Sequence, residues 1–206
     1  QTFVWQRLDA PMASPMLPAN APVLASLALP DEYAVTDAEN LGRDFLLSRL
    51  AVRLRAGLKL IQVRDKNLTD RDAFARAVLE LAKPFQAKVL INGGPGIGDG
   101  IHFAAQQLMA LKGRPESGIA AASVHTRAEL EHAMRLEMDF AVLGPVKETA
   151  SHAGAATLGW AGFAAIARGA SIPVYAIGGL RSSDVAAAWS AGAHGLAMIS
   201  GAWATR

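Results

Sequence analysis

Short apolar runs alternate with longer amphipathic stretches along most of this 206-residue chain, and this alternation constrains the fold more than any other feature. Eight of the runs are short enough to be buried strands, and they cover residues 33–35, 58–63, 89–91, 101–103, 119–122, 140–143, 174–177 and 196–199. Nearly all of them are separated by segments of helical periodicity. Alternating strands and helices form a parallel sheet, and eight repeats predict an α/β fold, a compact (β/α)8 TIM barrel. The spacing alone leaves a doubly wound open sheet as the alternative.

The segments between the strands carry signals for where helices start and stop. Gly57 is expected to end the first of them, because glycine readily adopts the left-handed conformation found after helices. Thr69 is expected to cap the next helix and Pro84 to end it, while Thr126 and Glu129 form a capping box. Only about 175 residues remain for a fold that typically needs about 250, so short loops and at least one shortened helix are expected.

Residues 1–30 differ from the rest of the chain because they are rich in proline; they contain Pro11, Pro15, Pro18, Pro22 and Pro30. Proline lacks a backbone N–H and disrupts helices and central strands. We therefore expect residues 1–30 to be an irregular linker or surface arm and residues 31–206 to form the barrel. The chain begins without Met and without a signal peptide, which suggests a piece of a longer polypeptide.

Composition excludes several classes of protein. Hydrophobic residues make up 51% of the chain, too many for a disordered protein, and no apolar stretch reaches the ~18 residues of a membrane span. A formal net charge of +2 is no signature of nucleic-acid binding. The absence of Cys excludes disulfides and fits a cytoplasmic protein, and four Trp offer aromatic area for a homodimer contact. We expect a small-molecule ligand, no nucleic acid and no membrane.

Polar residues follow several predicted strands, at the end where a barrel carries its active site. Gln62, Arg64 and Lys66 are spaced two apart after the second run, so one face of the strand presents all three. Such a set suits an anionic ligand, and a solvated strand end is an equal alternative. Asn92 follows the third run, and the loop at 144–152 supplies hydroxyls and cations.

Glycines follow the last two strands. Gly178 and Gly179 come directly after the run at 174–177, and Ser200 follows the run at 196–199. Exposed backbone N–H groups and helix starts bind phosphate, and the loops after strands seven and eight of a barrel are where phosphates recur. A single glycine pair also forms ordinary tight turns. The occurrence of glycines after both of the last two strands predicts a phosphate site.

Among the five histidines, His125 is the candidate for chemistry. It follows Ser123 by two residues at the fifth strand end, where an imidazole can transfer protons at neutral pH. His102 is expected to be buried and hydrogen-bonded, His132 to be a surface or packing residue, and His194 to be structural. No His or carboxylate pair has the spacing of a metal site, so we expect no bound metal.

Together these features resemble the thiamin phosphate synthase and thiazole tautomerase superfamily, over residues 33 to 203. The motifs that carry the resemblance are, in chain order, IQVRDK at 61–66, LIN at 90–92, DGIH at 99–102, SVHT at 123–126, GPV at 144–146, AIGG at 176–179 and GAHG at 192–195. The family fold is a compact (β/α)8 barrel. Residues 3–6 and 17–20 also resemble the connector of Nudix hydrolases fused to such a domain, which implies an N-terminal Nudix partner domain in the full-length chain.

The resemblance implies roles for individual residues. Gln62, Arg64 and Lys66 match the strand end that binds the pyrimidine diphosphate in the synthase, and Asn92 matches the strand-end Asn. A thiazole phosphate would lie against a second group of residues: Thr149, Ser151, Gly178, Gly179, Ile199 and Ser200.

The chain departs from the synthase at the magnesium site. The resemblance implies that two acidic residues hold magnesium in the synthase. At the two matching positions this chain has Gly93 and Gln107, neither of which is acidic. Magnesium needs carboxylate oxygens to share the charge of a diphosphate leaving group, so their loss should cripple the synthase reaction. We expect no cofactor, and magnesium only if synthase activity is retained.

The tautomerase branch is more similar at the fifth strand end. That branch carries Ser-Val-His there, and its His moves a proton to aromatise a carboxy-dihydrothiazole phosphate without a metal. The resemblance implies that His125 is the base, that Ser123 lies beside the substrate and that Lys147 is a candidate partner of its carboxylate. Two alternatives stay open: a synthase with an altered magnesium site, and a non-catalytic domain that binds a phosphorylated ligand.

Overall fold

The strands form a closed barrel. The structure is a computed structural model that describes Trp5, Arg7, Leu17 and residues 20–94, 97–116, 118–149 and 156–204. Each strand pairs in parallel with the next, and the eighth pairs with the first. The strands are β1 Glu32–Val35, β2 Leu60–Val63, β3 Lys88–Asn92, β4 Gly100–Phe103, β5 Ile119–Val124, β6 Phe140–Leu143, β7 Val174–Ile177 and β8 Gly195–Met198. The predicted (β/α)8 barrel is confirmed, and the open sheet is excluded.

The helices that follow the strands pack around the barrel. The helices are α1 Ala21–Leu27, α2 Ala38–Leu41, α3 Arg43–Arg55, α4 Arg71–Ala82, α5 Ala105–Ala110, α6 Arg127–Arg135, α7 Gly159–Ala167, α8 Val185–Ser190 and α9 Ser200–Trp203. Gly57 has a φ of 98° just after α3, and α4 ends two residues before Pro84, as predicted. The capping box is also confirmed, since Thr126 Oγ1 accepts from the Glu129 amide at 3.3 Å and Glu129 Oε2 accepts from the Thr126 amide at 3.0 Å. No helix in the described part of the chain is long and apolar enough to cross a membrane.

Alternate residues of each strand fill two separate cores, because successive side chains point to opposite faces. Side chains that point into the barrel form an inner cluster: Tyr33, Leu60, Leu90, Ala121, Phe140, Val142, Tyr175 and Ala197. Their sequence neighbours point outward and pack beneath the helices, where α3 contributes Leu46, Leu50 and Leu54 and α4 contributes Phe74 and Val78.

The connection from β3 to β4 is the shortened one. Its described residues, 93, 94 and 97–99, contain no helix. Asp99 ties this connection to β3, because its carboxylate accepts hydrogen bonds from the Val89 amide and from Lys88 Nζ, both at 2.9 Å. The expectation of at least one shortened helix is confirmed.

Two expectations about helices are wrong. Helix α1 lies inside the segment expected to be irregular; a proline in its first turn is tolerated because the N–H groups there have no helical partner. Helix α4 begins at Arg71 after Asp70, so Thr69 is not its cap. The position of a proline in a segment therefore says more about whether a helix forms there than the number of prolines does.

The residues before β1 close the amino-terminal end of the barrel. Leu29 packs against the inner cluster, and its carbonyl accepts a hydrogen bond from His194 Nε2 at 3.0 Å. The Pro30 carbonyl accepts a hydrogen bond from the Tyr175 hydroxyl. The structural role expected for His194 is confirmed.

The tryptophans differ in exposure. Trp203 is buried and donates from Nε1 to the Val35 carbonyl at 2.8 Å, so it is not available for a homodimer contact. Trp189 and Trp5 are exposed. Residues 3–6 and 17–20, which carry the Nudix resemblance, lie mostly outside the described residues.

Candidate active site

A cavity of about 370 Å³ opens at the carboxyl ends of the strands. Its walls come from all eight strands and the loops that follow them: Tyr33, Val35, Gln62, Arg64, Asn92, His102, Ser123, His125, Val142, Gly144, Pro145, Thr149, Ile177, Gly178, Gly179, Leu180, Ala197, Met198, Ile199 and Ser200. This is the face on which barrels of this fold carry their active sites.

Most of the residues selected from the sequence meet in this cavity. They are Gln62, Arg64, Asn92, Ser123, His125, Thr149, Gly178, Gly179, Ile199 and Ser200. Ser151 lies outside the described residues. Lys66 is exposed and is not part of the wall, so the face predicted for three residues holds only two. The reason is that β2 ends at Val63 and the chain bends at Lys66, so the alternation that places Gln62 and Arg64 does not extend to Lys66.

Arg64 gives the cavity its positive charge. Its side chain has no hydrogen-bond or ion-pair partner among the described residues, and no Asp or Glu is among the wall residues found there. Its backbone is fixed, because the Arg64 amide donates to Thr36 Oγ1 at 2.9 Å and Thr36 donates to the buried Asp65 carboxylate at 2.5 Å. The other Asp65 oxygen accepts from the Glu39 amide at 3.0 Å. A guanidinium on a fixed backbone, with no acidic partner among the described residues, favours an anionic ligand.

The loops after β7 and β8 converge on one side of the cavity. A Cβ on Gly201 would lie 2.3 Å from the Leu180 carbonyl oxygen, so only glycine permits this approach. Gly178 and Gly179 have φ values of 108° and 62°, which favour glycine. Ser200 lines the same cavity, so the two turns selected as a phosphate site are neighbours.

The loop after β6 packs directly on the glycine turn. A Cβ on Gly178 would lie 2.7 Å from Pro145 Cα, and one on Gly179 would lie 2.3 Å from the Glu148 carbonyl oxygen. Thr149 continues this loop and lines the cavity. Because these two glycines have no side chain, the loop that carries Thr149 can lie directly against the turn at 178–179.

His125 lines the cavity, and one of its ring nitrogens has no hydrogen-bond partner among the described residues. Its Nδ1 lies 2.8 Å from the Gly144 carbonyl oxygen, which can only accept, so Nδ1 carries the proton. Nε2 of the neutral ring then has a lone pair, and no hydrogen-bond partner for it occurs within the described ranges. The His125 amide donates to Glu129 Oε2 at 2.6 Å, which fixes the backbone. This is the tautomer that a general base needs.

A buried hydrogen-bond chain links three strands with Ser123. Gln62 Nε2 donates to Tyr33 Oη at 3.1 Å, Tyr33 Oη lies 3.2 Å from His102 Nδ1, and His102 Nε2 lies 2.8 Å from Ser123 Oγ. Burial lowers the pKa of His102 to about 3, with a smaller effect from the positive charge of Lys66, and burial raises the pKa of Tyr33. Both groups are neutral at pH 7. The buried, hydrogen-bonded position expected for His102 is confirmed.

Asn92 leaves a buried acceptor without a donor. The residue is 5% exposed, and its Oδ1 has no hydrogen-bond partner, while its backbone carbonyl accepts from Arg71 Nη2. An unpaired buried polar group costs about 1–3 kcal/mol. A donor on a bound molecule would offset that cost, because Asn92 is part of the cavity wall.

Lys147 is engaged outside the cavity. Its Nζ donates to Asp184 Oδ1 at 2.7 Å. Burial acts to raise the pKa of Asp184, but the hydrogen bonds from Lys147 and the Arg181 amide and the positive charges of both residues lower it below its usual value. Arg64, rather than Lys147, is therefore the cation that lines the cavity.

The residues at the family's magnesium position do not fit the metal. Gln107 lies beside Gly93, where its Nε2 donates to the Gly93 carbonyl at 3.3 Å and its Oε1 accepts from the Ala104 amide at 3.0 Å. Asn92 adds one neutral oxygen. No cluster of three or more His, Asp or Glu suited to a metal occurs in the part of the chain that the structure describes. Magnesium prefers carboxylate oxygens, and none is offered here.

Some wall residues had no role assigned from the sequence. Tyr33 and Val35 are two residues apart in β1 and both line the cavity. The alternation of side chains along a strand, which selected Gln62 in β2, could therefore have selected them from the sequence as well. Leu180 had no such signal, because its position depends on the course of the loop after β7.

The fold and site define a (β/α)8 barrel with a small-molecule cavity at its catalytic face. Residues 32–202 match the family described as thiamine monophosphate synthase, and the chain belongs to that family. This places the protein among those of thiamin biosynthesis.

Two relatives agree with this assignment, and a solved structure has a similar fold. The chain is 33% identical over 177 residues to the thiamine-phosphate synthase of Herpetosiphon aurantiacus, covering 82% of this chain and 86% of that one. It is 34% identical over 183 residues to the thiamine-phosphate synthase of Methanoculleus marisnigri, with the same two coverages, 82% and 86%. The fold is similar to that of thiamine phosphate pyrophosphorylase from Pyrococcus furiosus, with a TM-score of 0.67 and 24% identity over 82% of this chain and 85% of that one.

Proposed function

We propose that this chain is a thiazole tautomerase-like isomerase that binds a thiazole phosphate and uses His125 as a metal-independent base. The observation that carries the proposal is the His125 tautomer. His125 lines the cavity, and its Nδ1–H donates to the Gly144 carbonyl, which leaves the Nε2 lone pair available. Removal of a proton from carbon needs a base in that state.

The rest of the cavity supports the same reaction. The glycine turn at 178–179 and the start of α9 offer backbone N–H groups to a phosphate, and the Arg64 guanidinium is available to the substrate carboxylate. A positive charge beside that carboxylate stabilises the electron density left when a neighbouring ring carbon loses its proton. Tautomerisation removes one proton from carbon and adds one to another carbon, so atoms and electrons balance without an oxidant or a metal.

The second candidate is the synthase reaction, and the names of the relatives favour it. The neutral Gly93 and Gln107 speak against it, because a diphosphate leaving group needs its charge shared by a metal held on carboxylates. A non-catalytic domain that binds a phosphorylated ligand is the third.

Two assays on the same purified chain separate these functions. We expect aromatisation of carboxy-dihydrothiazole phosphate, followed by ultraviolet absorbance, at a rate that EDTA does not change. We expect no thiamin phosphate from pyrimidine diphosphate and thiazole phosphate, even with magnesium. Formation of thiamin phosphate without aromatisation would overturn the proposal, and calorimetric binding of thiazole phosphate without any turnover would favour the non-catalytic domain.

Three further predictions accompany this proposal: an N-terminal Nudix domain in the full-length protein, a homodimer and a cytoplasmic location. The reading frame upstream of Gln1 tests the first, and light scattering tests the second. Fractionation of the source cells tests the third.

A further inference from the structure

With the Gln62 amide nitrogen directed at Tyr33, the buried chain of Gln62, Tyr33, His102 and Ser123 has one arrangement of protons that satisfies all its hydrogen bonds. The Gln62 amide nitrogen can only donate, so Tyr33 Oη accepts from it and gives its single proton to its other neighbour, His102 Nδ1. Nδ1 therefore accepts, and the neutral ring carries its proton on Nε2. Nε2 donates to Ser123 Oγ across 2.8 Å.

We propose that Tyr33 and His102 are positioning residues that fix the direction of the Ser123 hydroxyl, so that Ser123 donates its proton to an acceptor atom of the bound ligand. Ser123 Oγ already accepts from His102, and its own proton is left for the cavity that it lines. The matching ligand atom is a carboxylate oxygen, a phosphate oxygen or a ring nitrogen. An amino group at that point would be disfavoured, because two donors would face each other. This inference rests on the proposed function only for the identity of the ligand.

The surroundings of the chain keep its direction fixed. Tyr33, Gln62 and His102 are almost completely buried, so water does not compete for their hydrogen bonds. Burial, and to a smaller degree the positive charge of Lys66, opposes a second proton on the His102 ring, which would remove the acceptor at Nδ1. Ser123 lies near the end of β5 and His125 is one residue beyond it, so their Cα atoms are at most about 7 Å apart. The acceptor that Ser123 holds therefore lies within one small molecule's length of the base.

The protonated nitrogen of His102 can be measured without any ligand. Nitrogen-15 NMR of the full chain labelled at histidine distinguishes the two ring nitrogens, and loss of signals in His102→Gln assigns them. We expect His102 to be protonated at Nε2 and unprotonated at Nδ1 at pH 7. In Tyr33→Phe the Nδ1 nitrogen loses its donor, so we expect both of its ring signals to shift as the second tautomer becomes populated.

Tyr175→Phe is the matched control. It removes a hydroxyl from the same inner cluster, but that hydroxyl donates to the Pro30 carbonyl at the opposite end of the barrel. We expect the His102 signals of Tyr175→Phe to match those of the wild type. A wild-type His102 protonated at Nδ1 overturns the proposal, and so do unchanged His102 signals in Tyr33→Phe.

A binding cycle tests the consequence at Ser123, with the aromatic carboxythiazole phosphate as the calorimetric probe. We expect Ser123→Ala to weaken binding about 10-fold, and Tyr33→Phe to weaken it by a smaller factor. The double variant should bind as weakly as Ser123→Ala alone, because both changes remove the same hydrogen bond. Additive effects contradict the proposal. If the wild type does not bind the probe, the proposed function fails, and the NMR measurement still decides the direction of the chain.

Discussion

The two histidines of the cavity differ in where their protons lie, and a single neighbour sets the difference. A carbonyl beside Nδ1 of His125 makes its Nε2 an acceptor, whereas a hydroxyl donor beside Nδ1 of His102 makes its Nε2 a donor. These neighbours are Gly144, 19 residues away in the chain, and Tyr33, 69 residues away. Sequence reasoning can therefore select both histidines but cannot assign their tautomers.

Burial of neutral His102 makes stability depend on pH. Its pKa is about 3 in the folded chain, below the ordinary histidine value of 6.5, so between pH 6.5 and about 3 the unfolded chain binds a proton that the folded chain does not. We expect the free energy of unfolding to fall by about 1.4 kcal/mol for each pH unit below about 6 from this group. Urea unfolding at pH 8, 6.5 and 5 measures it.

His102→Gln is the comparison for that titration, because it removes the ionisable ring. We expect it to be less stable than the wild type at pH 8 and to lose less stability between pH 6.5 and pH 5. Identical pH slopes for the two proteins would show that His102 is not held neutral by burial.

At the scale of elements, the loops after β6, β7 and β8 are joined through glycines. Gly179→Ala would place a methyl group 2.3 Å from the Glu148 carbonyl oxygen at a residue with a φ of 62°. The loop after β6 must then move. We expect the affinity for thiazole phosphate to fall by about 10-fold or more, because the loss of one hydrogen bond to an anion weakens binding by about that factor. Calorimetry measures the affinity.

Gly169→Ala provides the matched control for this substitution. Gly169 has a similar φ of 71°, but a Cβ there meets nothing within 4 Å. Both variants therefore bear the backbone strain of about 1–2 kcal/mol, and only one disturbs the loops. Equal affinities in the two variants would contradict a phosphate site at the glycine turn.

The strands and the residues at their ends follow from sequence because both depend on local periodicity. All eight strands lie where the apolar runs predict them, and Gln62 and Asn92 face the cavity by alternation alone. Lys66 departs from this pattern because it lies beyond the regular strand. Thr69 and α1 depart because a helix start depends on the exact residue at its cap and on where a proline lies, not on how many prolines are near.

At the scale of the whole molecule, one end of the barrel carries the ligand cavity and the other end contributes to stability. The cavity occupies the carboxyl ends of the strands, whereas Leu29 and Pro30 close the other end through contacts with the inner cluster, His194 and Tyr175. Changes at the closed end should affect stability, and changes at the open end should affect ligand binding.

Leu29→Asp tests whether the closed end of the barrel affects stability without affecting ligand binding. It replaces an apolar side chain packed on the inner cluster by a charge, and we expect it to lower the free energy of unfolding by about 2 kcal/mol while the affinity for thiazole phosphate stays unchanged. Leu27→Asp is the control, because Leu27 is 56% exposed and should tolerate the charge. Thermal unfolding and calorimetry measure the two properties. A loss of affinity in Leu29→Asp at a temperature where it is folded would contradict the division.

The proposed reaction depends most directly on the free nitrogen of His125, which is tested by single-turnover aromatisation of carboxy-dihydrothiazole phosphate. His125→Asn keeps a donor for the Gly144 carbonyl and removes the base, so we expect the rate to fall by about 10²–10⁴ with little change in affinity for thiazole phosphate. His132→Asn is the control, because His132 Nε2 lies 3.2 Å from the Leu111 carbonyl and the residue is outside the cavity wall. It should react at the wild-type rate. Equal rates for His125→Asn and the wild type would contradict the role of His125 as the base.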